Sequence, residues 1–340
     1  MNPEFYQCIE GKVEVAKAVT KLPVDIICFT GSTMTGRLVA IEAAKNLVPC
    51  ILELGGKCPV IVDESATIET AVNRILNGKY LNCGQTCVGV DHVYVHESKK
   101  TQFKELLLKK LDLFYGGDQN LEEDGNYGKI INQFHLERIS KLINDKHEGE
   151  VVYGGVIKKE SRFISPTVIE SPRKDSLMMQ EEIFGPVMPI FYYSNLQELI
   201  NEISSRAKPL AVYMFSENSK NIEQVKQNTF SGAFVTNECV MQIANKALPF
   251  GGVGGSGHGR LHGKHGFQTF SNPKSVALMS SNDGFPTNKR YPPYTDDKKN
   301  FLRKLMKVAF ITYGQIGKFA AIFLLIVVAI VLCGVLIPGV

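Results

Sequence analysis

The sequence has no tryptophan and little excess of either charge, because 38 lysines and arginines are balanced by 34 aspartates and glutamates among 340 residues. A net charge of +4 over this length does not by itself indicate nucleic-acid binding, and no basic arm accompanies it. Residues 1–11 lack the basic stretch and apolar run of a secretory signal. The composition, 44% hydrophobic and 21% charged, excludes a disordered or collagen-like chain. We therefore expect a globular protein with no nucleic-acid partner.

Paired cysteine spacing is also missing. There is no CxxC pattern and no regular ladder among Cys8, Cys28, Cys50, Cys58, Cys83, Cys87, Cys239 and Cys333. A disulfide scaffold or zinc ribbon is therefore not expected, and a reducing compartment is. Three histidines lie close together at 258, 262 and 265, but Arg260 and Lys264 are interleaved with them. We expect no metal site there.

Helical and apolar segments alternate along the chain. The pattern predicts a helix over Glu10–Lys21, a strand over Val24–Thr30, a turn over Gly31–Gly36, a helix over Arg37–Asn46 and a strand over Cys50–Leu54. This order is typical of a βαβ unit in a parallel sheet.

The centre of the chain repeats that alternation and predicts a second α/β layer. Helices are expected over 67–79, 98–114 and 129–145, with apolar residues at helical spacing that include Phe134 in the last of them. The glycine-rich stretch Pro249–Gly266 predicts a long loop without regular structure.

Three short motifs could carry chemistry. The first, Phe29 to Arg37, reads FTGSTMTGR and places a glycine-flanked turn between a strand and a helix. Backbone N–H groups at such a helix N-terminus favour a phosphate, although an ordinary turn has the same pattern. The motif lacks the endings of a P-loop or of the GxGxxG fingerprint.

The second motif, LELGGK, places Glu53 between two leucines at the end of an apolar strand. Partial burial would raise its pKa and make it a better base near neutral pH. The alternative is an edge-strand carboxylate that points to water.

The third motif, NCGQTC, ends at Cys87. A cysteine after a glycine-containing turn can meet converging N–H groups that stabilise a thiolate and an oxyanion. The alternatives are a buried inert cysteine or a metal pair with Cys83. A metal pair lacks the further ligands that complete four-coordination.

These motifs, followed by Glu181–Val187 (EEIFGPV) and Pro249–Val253 (PFGGV), resemble the aldehyde dehydrogenase superfamily over roughly residues 5–275. The HGK at His262 to Lys264 and the hydrophobic C-terminal stretch are similar to its class 3 branch, in particular the membrane-bound fatty aldehyde dehydrogenases. The resemblance implies oxidation of medium- to long-chain aliphatic aldehydes to acids, with NAD as cofactor and NADP as an alternative, by a homodimer.

The resemblance also implies roles for single residues. Cys87 would be the nucleophile, and Glu53 would activate the water that hydrolyses the thioacyl intermediate. Gly31 and Ser32 would meet the cofactor pyrophosphate. The remaining assignments are Glu182 on the nicotinamide ribose, Phe184 beside the nicotinamide, and Asn237 in the substrate channel.

The implied fold is α/β, with an incomplete parallel-sheet cofactor-binding domain, an α/β catalytic domain and a C-terminal transmembrane helix. The expected boundaries are 1–53 for the remnant of the cofactor-binding domain, 54–248 for the catalytic domain, 249–285 for the glycine-rich and oligomerisation segment, 286–318 for a linker with a basic helix, and 319–340 for the membrane anchor.

The sequence departs from the family pattern at its N-terminal side. It lacks the Pro-Trp-Asn and Lys-Pro-Ser segments of the family, whose Asn would donate to the oxyanion and whose Lys would contact the adenosine ribose. An alternative expectation is therefore a truncated, catalytically impaired isoform or gene-model fragment that binds cofactor poorly and acts as a dimerisation partner.

A run of 22 uncharged residues, Phe319–Val340, is about the length that a helix needs to cross a bilayer. Basic residues precede it, which predicts a cytosolic catalytic part, and the resemblance implies the endoplasmic reticulum membrane. Phe301 and Leu305 share helical spacing with Arg303, Lys304 and Lys307, which suits either a helix on an anionic lipid surface or one that packs on its own domain.

Overall fold

The computed structural model describes residues 4–116, 121, 127–278, 281 and 285–309. They form two compact units, Met1–Asn272 and Pro273–Val340. The helices are α1 (Val13–Val19), α2 (Thr33–Ala44), α3 (Ile68–Tyr80), α4 (Lys100–Tyr115), α5 (Gln133–Asn144), α6 (Leu177–Gln180), α7 (Leu196–Ser205), α8 (Ser219–Asn228), α9 (Gly263–Thr269) and α10 (Asp296–Ala309). The strands are β1 (Ile27–Gly31), β2 (Cys50–Leu54), β3 (Pro59–Val62), β4 (His92–His96), β5 (Glu150–Tyr153), β6 (Ile157–Lys158), β7 (Phe163–Ile164), β8 (Thr167–Glu170), β9 (Val187–Tyr193), β10 (Ala211–Phe215), β11 (Ala233–Thr236) and β12 (Gly257–His258).

A seven-stranded sheet forms the centre of the first unit, in the order β11-β10-β3-β4-β9-β8-β5. Its strands pair in parallel except for β5, which runs antiparallel to β8. β3, β8 and β10 are buried along their whole length, as expected for strands that helices cover on both faces. The predicted second α/β layer is this sheet with its helices.

A smaller sheet, in the order β1-β2-β12, holds the first two motifs. β1 and β2 pair in parallel, with Thr30 opposite Glu53 and Gly31 opposite Leu54. β12 pairs antiparallel with β2, with Gly257 opposite Glu53. The glycine-rich segment therefore joins the sheet that contains the predicted βαβ unit.

The apolar stripe of α3 is buried, as the periodicity predicts. Ile68, Ala71, Val72 and Ile75 are all buried against the larger sheet and α4. Removing water from this continuous face contributes roughly 25 cal/mol per Å² of apolar area, which fixes the helix that leads into the NCGQTC turn.

Three sequence predictions need correction. α2 begins at Thr33, inside the expected turn, because the Ser32 hydroxyl accepts a hydrogen bond from the Thr35 N–H at 3.2 Å and caps the helix. α5 begins only at Gln133, because Asn132 caps it. The helix phase set by this cap leaves Phe134, expected on the apolar face, 70% exposed.

The glycine-rich stretch is not wholly irregular either. Gly257 and His258 form β12, and α9 begins at Gly263. Strands β5 to β9 carry no prediction of their own. β6 and β7 are only two residues long, and the other three are at most seven residues long, so alternation along the chain gives little signal.

The second unit contains α10, on which the Phe285 ring packs against Phe301 with centroids 5.7 Å apart. Leu305 is 54% exposed. No helix in the described part of the chain is both long and apolar enough to span a bilayer. The predicted transmembrane segment 319–340 lies outside the described residues.

Candidate active site

Cys87 follows a tight turn that the Gln85 side chain holds in place. The Gln85 amide donates to the Asn82 and Lys129 carbonyls and accepts from the Ile131 N–H at 3.0 Å. Gly84 lies at φ 71, where a Cβ atom would be 2.3 Å from the Gly185 carbonyl oxygen. Only glycine fits this approach.

The electrostatics of Cys87 differ from the expected stabilised thiolate. The Cys87 and Val88 N–H groups do favour the thiolate, as the motif predicts, but burial raises the pKa of the Cys87 thiol more strongly, and Glu182 and Glu53 raise it further. Burial and the two carboxylates therefore favour the protonated form of this thiol.

Glu53 lies on the central strand of the smaller sheet and is 5% exposed. Both carboxylate oxygens are buried without a hydrogen-bond partner among the described residues. Burial raises the pKa of Glu53 to about 7, although the positive charge of Arg260 opposes the shift. The edge-strand alternative therefore does not hold, and the carboxylate is suited to act as a base near neutral pH.

Glu182 lies beside the glycines of LELGGK. A Cβ atom on Gly55 would be 1.9 Å from Glu182 Oε2, so the carboxylate occupies the space that glycine leaves open. Burial and the nearby Asp91 raise the pKa of Glu182 to about 8, although the Gly56 N–H donates to the carboxylate and opposes the shift. Phe184, two residues on, is held at φ 45, an uncommon backbone conformation that marks a constrained segment.

Residues that no sequence motif indicated hold the segment 181–184, here called the Glu182 segment. Lys57 Nζ donates to Asp91 Oδ2 at 2.6 Å and to the carbonyls of Met178 and Glu181. Asp91 Oδ1 accepts the Ile183 N–H at 2.9 Å. Asp91 is buried, but Lys57 and the hydrogen-bonded His92 lower its pKa overall. The signal available in the sequence was a carboxylate directly before the run that becomes β4.

Arg138 of α5 holds the same segment from another side. Its guanidinium donates to the carbonyl oxygens of Glu182 at 3.3 Å and Ile183 at 2.6 Å. Nothing in the sequence pattern distinguishes this arginine from other helix-surface cations, because its partners are backbone atoms 44 and 45 residues away.

Gly31 and Ser32 lie at the C-terminal end of β1 and are exposed. Gly31 pairs with Leu54, one residue beyond Glu53, so the turn that is predicted to bind phosphate and the candidate base lie at the same end of one sheet. The Thr33 hydroxyl donates to the Gly255 carbonyl at 2.9 Å and ties the turn to the glycine-rich segment.

Asn237 is held by backbone contacts. Its side chain accepts from the Ser216 N–H at 2.9 Å and donates to the Ser216 carbonyl at 3.0 Å, and its φ is 55. These bonds connect the ends of β10 and β11. The substrate-channel role of Asn237 stays a prediction.

Cys83 is 1% exposed, and burial raises the pKa of its thiol to about 11. It is thus far less reactive than a partly exposed cysteine. In the described part of the chain, no three His, Cys, Asp or Glu side chains come together as a metal site.

The model of the aldehyde dehydrogenase family matches residues 2–276. The chain belongs to the aldehyde dehydrogenase family. Members of this oxidoreductase family use NAD or NADP, in line with two relatives, a dimeric NADP-preferring enzyme from Mus musculus and a Mycobacterium tuberculosis structure complexed with NAD+.

Relatives of known name support this membership. The 4,4'-diaponeurosporen-aldehyde dehydrogenase of Staphylococcus aureus is 43% identical over 293 residues, which cover 86% of this chain and 63% of the relative. Aldehyde dehydrogenase family 3 member A2 of Mus musculus is 36% identical over 332 residues, which cover 97% of this chain and 67% of the relative. The chain thus spans about two thirds of the length of these aldehyde dehydrogenases.

Solved structures share the fold. The substrate-bound state of Staphylococcus aureus AldH matches with a TM-score of 0.80 at 40% identity, over 90% of this chain and 66% of the other. The Mycobacterium tuberculosis aldehyde dehydrogenase complexed with NAD+ matches with a TM-score of 0.72 at 28% identity, over 80% of this chain and 57% of the other.

Proposed function

We propose that this aldehyde dehydrogenase oxidises medium- to long-chain aliphatic aldehydes to carboxylic acids with NAD or NADP. The observation that supports the proposal is that the Glu53 and Glu182 carboxylates lie close enough to Cys87 to act on the charge of its thiol. Glu53 and Glu182 both raise the pKa of the Cys87 thiol.

The residues fit the cofactor. Gly31 and Ser32 present an exposed helix N-terminus that suits a pyrophosphate. The space at Gly55 admits the Glu182 carboxylate, which would hydrogen-bond the nicotinamide ribose, and Phe184 would pack beside the nicotinamide. When bound, the nicotinamide accepts the hydride of the aldehyde carbon.

Cys87 would supply the covalent step. Its Sγ attacks the aldehyde carbon and forms a thiohemiacetal, while the thiol proton leaves to solvent or to a base. The Cys87 and Val88 N–H groups that favour the thiolate are placed to stabilise negative charge beside the sulfur. Loss of hydride from the carbon then leaves a thioacyl group on Cys87.

Glu53 would complete the reaction. Its carboxylate takes a proton from a water molecule, the resulting hydroxide attacks the thioacyl carbon, and the carboxylic acid leaves as the Cys87 thiolate is restored. Because burial raises its pKa to about 7, Glu53 can exchange a proton near neutral pH.

The experiment is aldehyde-dependent NAD(P)H formation by the purified chain, with octanal and hexadecanal compared with propanal. Cys87→Ser should abolish it. Glu53→Gln should preserve a first-turnover burst of NADH while steady-state turnover falls, because only thioacyl hydrolysis needs the base. Equal loss of burst and turnover would assign Glu53 another role, and no NADH with any aldehyde would contradict the proposed activity.

We also propose attachment to the endoplasmic reticulum membrane through residues 319–340. Their uncharged composition supports it, and lipid-soluble aldehydes would concentrate near such an anchor. A form that ends at Lys318 should appear in the soluble fraction after a high-salt wash. Persistent sedimentation with membranes would show that another segment anchors the protein.

A further inference from the structure

Arg260 follows the PFGGV motif and is fixed by the glycine-rich segment. Its Nη1 atom donates to the Gly252 and Gly259 carbonyl oxygens, each at 2.6 Å. The side chain is half-buried, so its charge is only partly screened by solvent. The segment therefore presents a positive charge at a defined position.

That position is next to Glu53. A Cβ atom on Gly251 would lie 3.1 Å from Arg260 Nη1 and 3.1 Å from Glu53 Oε1, so the two atoms are at most about 6 Å apart. Any side chain at 251 would enter this space. Gly251 thus leaves open the space between the guanidinium and the carboxylate.

Other charges around Glu53 do not replace Arg260. Cys28 on β1 and Cys87 both feel the Glu53 charge, but they are thiols and offer it no positive charge. On β12, Gly257 is opposite Glu53, whereas His258 is opposite Leu52 and so projects to the other face of the sheet. Arg260 is the cation that acts on the buried carboxylate.

We propose that Arg260 is a positioning residue that keeps the Glu53 carboxylate charged and directed toward the glycine-rich segment, ready to accept a proton from the hydrolytic water. The inference rests on the proposed role of Glu53 as the base of thioacyl hydrolysis. In this proposal the carbonyl groups of the glycine-rich segment hold Arg260, and the charge of Arg260 acts on Glu53.

The test uses two substitutions at this position. Arg260→Gln keeps a polar side chain but has no charge, whereas Arg260→Lys keeps the charge. Glutamate labelled with ¹³C at the carboxyl carbon reports the titration of Glu53 by NMR, and Glu53→Gln assigns the signal. Circular dichroism and thermal melting check that each variant is folded.

Removal of a positive charge from a carboxylate at this distance raises its pKa. In Arg260→Gln, the Glu53 midpoint should move upward by about one unit, and in Arg260→Lys it should stay near the wild-type value. Thioacyl hydrolysis by Arg260→Gln should be about fivefold slower at pH 7 and nearly unchanged at pH 9, where Glu53 is ionised in both proteins.

An unmoved midpoint in Arg260→Gln, or an equal shift in both variants, would overturn the proposal, because the second result would point to packing instead of charge. The NMR reading does not depend on turnover. If the wild-type chain made no NADH while the midpoint moved as expected, the proposed function would fail and the effect of Arg260 on Glu53 would stand. If the wild-type chain formed NADH but the Glu53 midpoint did not move in Arg260→Gln, only the proposed role of Arg260 would fail.

Discussion

Two glycines in this site matter because the absence of a side chain leaves space for neighbouring charged groups. Gly55 leaves the position that Glu182 Oε2 occupies, and Gly251 leaves the position between Arg260 and Glu53. The charges of these carboxylates are set by burial, which raises the pKa of both. A larger residue at Gly55 or Gly251 would therefore disturb the charged groups of the site.

Gly55→Ala should push the Glu182 carboxylate aside, because the new methyl group would lie 1.9 Å from Oε2. We expect NAD(P)+ binding, measured by isothermal titration, to weaken about tenfold or more, the cost of one hydrogen bond to a charged group. In a Glu182→Ala background the same substitution should add little, since the clash is gone. Equal weakening in both backgrounds would show that Gly55 acts elsewhere.

At the scale of elements, α2 has two different faces. Its buried residues Gly36, Val39 and Ala43 pack toward β2, and Gly36 fits because a Cβ atom there would be 2.6 Å from Leu54. On the opposite side, Met34 and Leu38 are 74% and 61% exposed. An apolar stripe at helical spacing on the surface is typical of a protein interface.

We propose that this stripe lies in a homodimer interface. Leu38→Glu should weaken self-association at least tenfold, because a leucine that is buried contributes about 1.5 to 3 kcal/mol and a buried charge costs more. Leu47→Glu, the same change at an exposed leucine beyond the helix, is the control. Sedimentation velocity over a dilution series measures both, and equal association of the two variants would exclude the stripe from the interface.

At the scale of the whole molecule, the buried carboxylates couple folding to pH. The pKa values of Glu53 and Glu182, about 7 and about 8, lie above that of an unfolded glutamate, so the folded state binds more protons between pH 4.5 and 8. Their contribution to stability is complete at low pH and declines as pH rises through this window. His92, whose pKa burial lowers, acts in the opposite direction.

Glu53→Gln should therefore be more stable than the wild type at pH 8, by about 2 to 3 kcal/mol, and nearly equal to it at pH 5. Urea unfolding at the two pH values measures the difference. Glu105→Gln, the same change at an exposed position of α4, is the matched control. A Glu53→Gln advantage that is the same at both pH values would mean that the amide stabilises the site for a reason other than charge.

Much of the fold could be predicted from local pattern. The stripe on α3 follows from a period of 3.6, and the strands β2 and β3 follow from short apolar runs, because each pattern depends on neighbours in the chain. The caps at Ser32 and Asn132 changed where α2 and α5 begin, since the cap geometry depends on one side-chain hydrogen bond that periodicity does not report.

The sequence by itself determined the family-like motifs and hence the candidate nucleophile, base and cofactor-binding residues, because such motifs are contiguous. Only the tertiary structure decided how they are tuned. It placed Glu53 in the middle of its sheet with no partner for either oxygen, and it set Arg260 about 6 Å or less from Glu53 although the two are far apart in the chain. It also joined Lys57, Asp91 and Arg138 to the Glu182 segment through backbone atoms. Burial and charge at a site are sums over residues that folding brings together, so no local pattern contains them.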